Sequence, residues 1–98
     1  MDYAAILSAA MSKPVVAERP LGACRVYVSI SDKEHAKGVA KAAKKVGVEF
    51  QTRTYYGTRT ALYIGYDNFG GRELARGTAV VNALNAAGIP CFRDEQGD

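Results

Sequence analysis

Alternation of apolar and polar residues is clearest over Cys24-Arg25-Val26-Tyr27-Val28-Ser29-Ile30. Apolar residues at 24, 26, 28 and 30, with Arg25, Tyr27 and Ser29 between them, give a period of two and predict a strand with one buried face. The period then lengthens. Ala36, Val39, Ala40, Ala43 and Val46 recur at helical spacing, and Lys33, Lys37, Lys41, Lys44 and Lys45 take the other side. Ser31 followed by Glu34 reads as a capping box, and Gly47 as the left-handed stop. A second strand over about 48–55 buries Val48 and Phe50 and turns Glu49, Gln51, Arg53 and Tyr55 outward. Gly57 and Thr58 then turn the chain into a third strand, 60–66. It buries Leu62, Ile64 and Tyr66 and shows Ala61, Tyr63 and Gly65 on the opposite face.

A second long helix spans about 72–87, with Leu74, Val81 and Leu84 toward the core. Gly77 within it permits close packing on the sheet, and Gly88 ends it. Ile89-Pro90-Cys91-Phe92 makes a short last strand, its proline suited to an edge. A short helix at 2–12, stopped by Pro14, and a connector to Gly22 precede all of this. The acidic stretch 94–98 reads as a frayed tail. The layout is therefore an N-terminal helix and connector (1–22), a βαββαβ body (23–93) and a tail (94–98). Right-handed crossovers place both body helices on one face of a four-stranded antiparallel sheet with the first and third strands central. The class is α+β.

Composition narrows the function. A chain of 98 residues, 48% hydrophobic and 23% charged, holds one core and is not disordered. A net charge of +3 and a pI near 9.0 favour phosphates or acidic protein surfaces, without the dense basic stripe of a dedicated duplex binder. No apolar run approaches the roughly 18 residues of a membrane span. Met1-Asp2-Tyr3 lacks the basic start of a secretory leader and reads as part of the protein. Cys24 and Cys91, far apart, read as reduced thiols in a cytoplasmic protein rather than as a disulfide. His35 is the only histidine, in the first turn of a helix with no nucleophile near it in sequence, so neither catalysis nor a metal site is expected. No cofactor is expected.

The expected site is the sheet face opposite the helices. Arg25, Tyr27, Arg53, Tyr55, Tyr63 and Phe92 share it, with Tyr27 and Tyr63 on the central strands. Rings beside arginines form a stacking platform for unpaired bases, and the arginines hold phosphates. Covering by the N-terminal helix, or by a second copy in a homodimer, is the other use of such a face. The lysines of the first body helix form a secondary basic face, read foremost as a solvated surface. Gly70-Gly71-Arg72 at a helix start offers N–H groups to an anion.

Val26-Tyr27-Val28-Ser29-Ile30-Ser31 resembles the shorter ribonucleoprotein motif of the RNA-recognition-motif family. Arg59-Thr60-Ala61-Leu62-Tyr63-Ile64-Gly65-Tyr66 is similar to the longer one. The resemblance implies a ferredoxin-like fold, with Tyr27 and Tyr63 stacking on single-stranded RNA or docking on a ribonucleoprotein complex. The chain departs from the motif at Ala61, where a second exposed aromatic is expected, and at Thr60, where a glycine is. In size and style it also resembles small phage-borne accessory proteins, anti-CRISPR inhibitors among them, which implies an inhibitor or adaptor acting by protein–protein binding. Acylphosphatases share the size and fold, but Ser31-Asp32-Lys33-Glu34 stands where their phosphate loop follows the first strand.

Overall fold

The computed structural model describes residues 1–20, 22–53 and 59–97. In chain order the elements are α1 (Tyr3–Ser12), β1 (Ala23–Ile30), α2 (Lys33–Val46), β2 (Phe50–Arg53), β3 (Arg59–Asn68), α3 (Arg72–Ala86) and β4 (Phe92–Gly97). The sheet runs β2-β3-β1-β4, with every neighbouring pair antiparallel. Two β–α–β crossovers interleave: β3 lies between β1 and β2, and β1 lies between β3 and β4. The central placement of β1 and β3 follows the expectation from sequence.

Side chains from β1, β3, α2 and α3 meet in one core that includes Val28, Ile30, Leu62, Val39, Val80 and Leu84. Burying each such side chain fully stabilises the fold by about 1.5–3 kcal/mol. α1 packs on α2 and α3 and not on the sheet, with Leu7 completing the core from that side. The molecule thus has three layers (sheet, helix pair, α1), and the N-terminal helix leaves the second sheet face uncovered.

Local chemistry explains where the helices begin. The Asp2 carboxylate accepts from Ala5 N at 3.0 Å and starts α1. Its Tyr3 ring then lies over Gly38 of α2, where a Cβ would collide with it, and its hydroxyl meets His35 Nδ1 at 2.8 Å. α2 is capped by Asp32, which accepts from His35 N at 3.0 Å, and not by Ser31. An aspartate there adds a charge that favours the helix dipole, which a serine hydroxyl lacks. α3 begins at Gly71, which has no side chain to cap with. Asp67 at the end of β3 serves instead, accepting from Gly71 N (2.8 Å) and Leu74 N (3.1 Å). The N–H groups that the sequence offered to an external anion therefore already hold an internal one. Burial opposes ionisation of Asp67, but backbone donors from Gly71, Leu74, Gly70 and Glu73 outweigh it and hold the carboxyl below its ordinary range.

Two strands differ from expectation. β3 carries a bulge: Val26 pairs with Gly65 and Tyr27 with Tyr63, so Ile64 has no partner on β1. Beyond the bulge the faces exchange, so Gly65 turns toward α3 and Tyr66 toward the uncovered face. Tyr66, expected in the core, is 41% exposed. β4 starts at Phe92 and runs to Gly97, taking into the sheet most of the stretch assigned to a frayed tail. Its carboxylates have arginine partners on both faces, Asp94 with Arg53 and Glu95 with Arg93. On the helix side Arg93 also donates to Glu18 Oε1 (2.8 Å), Leu74 O (2.9 Å) and Thr78 Oγ1 (2.8 Å). Through Glu18 this cluster ties the connector after α1 to α3, whose Gly77 sits against Val26 and Arg93 as close packing requires.

Candidate functional site

Register places the residues of the uncovered face in three rows across β3, β1 and β4. Tyr63, Tyr27 and Asp94 form the central row. Tyr66, Arg25 and Gln96 lie on one side of it, and Ala61, Ser29 and Phe92 on the other. The Tyr27 and Tyr63 rings meet with centroids 5.3 Å apart, tilted by 50°. Arg53, from the edge strand β2, lays its guanidinium over the Tyr27 ring at 4.7 Å and reaches Asp94 Oδ2 at 3.5 Å. Gln96, with its amide oxygen toward the guanidinium, accepts from both terminal nitrogens of Arg53 at 3.0 Å. To arrive there Arg53 crosses the row of Ala61 and Ser29, whose side chains are small and buried. A larger ring at 61 would stand in that path.

This arrangement redistributes the expected site. Tyr27 is brought against Tyr63 and Arg53, but it is only 5% exposed and its ring is occupied by the protein's own cation. Arg25 and Phe92 share the face, about 13 Å apart along the strands. Phe92, at 48%, and Tyr66 are its exposed rings. Tyr55 lies outside the described residues. Tyr66 and Asp94 belong to the face and escaped the sequence reading. The signal for Tyr66 was Gly65, because a glycine inside a strand marks a bulge. Here it also leaves room beside α3, where a Cβ would come within 2.8 Å of Glu73 Cγ.

β2 begins at Phe50, so β3 loses its neighbour just past Tyr63, whose N–H donates to Glu49 O at 2.8 Å. The notch is an open groove of about 770 Å³. Arg25, Tyr27 and Tyr63 line it from the sheet, Glu49 and Gln51 from β2 and its approach, and Lys44 and Gly47 from the end of α2. Charges of both signs therefore surround the rings: Arg25, the Arg53–Asp94 pair, and Glu49. The lysines at 33, 37, 41, 44 and 45 are exposed on α2, in the helix layer behind the sheet, and of these Lys44 alone reaches the groove.

The remaining reactive groups are committed elsewhere. His35 is bonded to Tyr3. Cys24 and Cys91 form no disulfide, and burial pushes the Cys91 thiol up to about 11, keeping it protonated at neutral pH. Among the described residues no group of three or more His, Cys, Asp or Glu is placed to hold a metal, and no helix is long and apolar enough to cross a membrane. What the uncovered face offers chemically is contact: rings, guanidinium groups and one groove. Comparison with protein-family models, with curated proteins and with solved structures gave no match.

Proposed function

We propose that the chain is a non-catalytic binding module, ferredoxin-like in its βαββαβ plan, that docks on a protein partner through the uncovered sheet face as a small inhibitor or adaptor. The observation that carries this reading is the exposure of Tyr66 and Phe92 at the rim of a face whose central ring is already covered. Large rings flanked by charges of both signs are the anchors typical of protein interfaces. Base stacking asks for Tyr27 and Tyr63 to be open together, and Arg53 lies on one of them. Two cysteines with no disulfide between them fit a reducing compartment such as the cytoplasm.

The test is capture on the immobilised chain from its source cells, then titration of the purified partner. A saturable complex weakened at least about 30-fold by Tyr63→Ala, Tyr66→Ala or Phe92→Ala is expected. A complex that tolerates all three substitutions overturns docking through this face. Titration with mixed-sequence single-stranded RNA is the counter-test, since binding lost in Tyr63→Ala would assign the face to bases instead.

A further inference from the structure

Every exposed position of α2 is charged, and five of the six are lysine. The helix carries five lysines and one glutamate, a net +4 in a chain whose total is +3, so the rest of the molecule is net −1. None of the five lysines forms an ion pair among the described residues. Lys33, Lys37, Lys41 and Lys45 follow one another at i, i+4, so three like-charged pairs repel along one face. Lys33 also sits in the first turn, at the positive end of the helix dipole, where a cation is unfavourable. Lys44 and Lys45 in the last turn favour the helix, but that account does not extend to Lys33, Lys37 and Lys41. The fold gains nothing evident from these three.

We propose that this face of α2 is a second binding surface, directed at the sugar-phosphate backbone of a nucleic acid and separate from the docking face of the sheet. From Lys33 to Lys45 the helix rises about 18 Å. A nucleic-acid strand carries a phosphate per roughly 3.4 Å of axis, so the face meets about five. Charge complementarity selects the occupant. The exposed surface of α2 holds no aromatic or aliphatic anchor, and lysine is depleted where proteins meet proteins. Lys44 carries the cationic track into the groove that Arg25 also lines, around the end of β2. The two surfaces together suit a partner that contains both protein and nucleic acid.

The experiment is fluorescence-anisotropy titration of the whole chain with labelled single-stranded RNA of mixed sequence, and with a duplex, over salt from about 50 to 200 mM. About five contacts give a log–log salt slope near −3.5 for the strand, or near −4.5 for the duplex, and the tighter arm names the form bound. Lys37→Gln with Lys41→Gln should weaken binding alike for all sequences and flatten the slope by about 2. Both positions are exposed and glutamine is a comparable helix former, so the variant folds. Lys13→Gln with Arg72→Gln, exposed cations elsewhere, should change little. Tyr63→Ala should leave this binding intact, so it separates the proposal from docking through the sheet. No binding at low salt, an unchanged slope in the α2 variant, or equal affinity for polyglutamate would each overturn it.

Discussion

On the face covered by α2 and α3, β1 presents Cys24, Val26, Val28 and Ile30, none more than 4% exposed. On the face that no helix covers, the same strand presents Arg25, Tyr27 and Ser29. Both faces contain buried polar or aromatic groups, but they close them differently. On the covered side Asp67 and Arg93 are held by short bonds from backbone and side chains fixed in α3. On the uncovered side, among the described residues, Tyr27 is closed by the Tyr63 ring and by a long arginine from an edge strand, which also makes a 3.5 Å ion pair with Asp94. The first closure is built from elements packed in the fold, and the second rests on a side chain reaching across the sheet surface. Substitutions on adjacent residues that point to opposite faces should therefore act on different quantities.

The largest contrast is expected at Leu62 and Tyr63. Leu62 is fully buried under the helices, and Leu62→Ala should cost about 3 kcal/mol by urea denaturation, mostly as an unfilled cavity. Tyr63→Ala removes a half-buried ring that packs on Tyr27 and should cost about 1 kcal/mol while weakening partner binding at least about 30-fold. Equal costs at the two positions would mean that the uncovered face is core, and the distinction between the faces would collapse.

Asp67→Asn probes how the covered side closes its polar groups. Hydrogen bonds to a charged acceptor contribute about 1.5–3 kcal/mol, so a loss near 2 kcal/mol is expected at neutral pH. Because the folded carboxyl ionises below the ordinary aspartate value of 3.8, its stabilisation is present above that pH and fades as pH falls through the folded value. The gap between wild type and Asp67→Asn should therefore close on acidification. Glu18 shares the sign, since the Arg93 hydrogen bond and then the Thr78 hydroxyl hold it below its usual range. A gap that stays constant into acid would show that the charge on Asp67 is not what caps α3.

Why some features were legible and others not follows from range. Periodicity located β1 and α2 because each depends on residues within a few positions of one another, and the crossover rule then placed β1 beside β3 at the centre. The bulge at Ile64 depends on where β1 sets its register, so Tyr66 was assigned to the wrong face although Gly65 marked the place. β4 was truncated because Asp94 and Glu95 read as solvated tail until the arginines from β2 and β4 itself are seen to meet them. The alternation in β1 places Tyr27 on the uncovered face, where the register also puts it. Its covering was not legible, because Arg53 reaches it from β2 across β3 and past the small Ala61, a contact that no local pattern encodes.

Arg53→Ala should cost no more stability than Tyr63→Ala and say most about how the uncovered face is used. A cation–π contact at a partly exposed site contributes about 0.5–1 kcal/mol, and an ion pair at this distance and exposure contributes about 0–1. The variant should lose about 1 kcal/mol, and NMR of ring-labelled tyrosine should show the Tyr27 resonance become accessible to a soluble paramagnetic probe. A loss near 3 kcal/mol would instead make Arg53 a structural staple, and the uncovered face as permanently closed as the covered one. Binding then separates the two uses of the face. If the face docks a protein, Arg53 belongs to the contact and its removal weakens the complex. If bases stack there, the loss of one cation is offset by the opening of a second ring, and affinity for single-stranded RNA rises while its salt slope falls by about one.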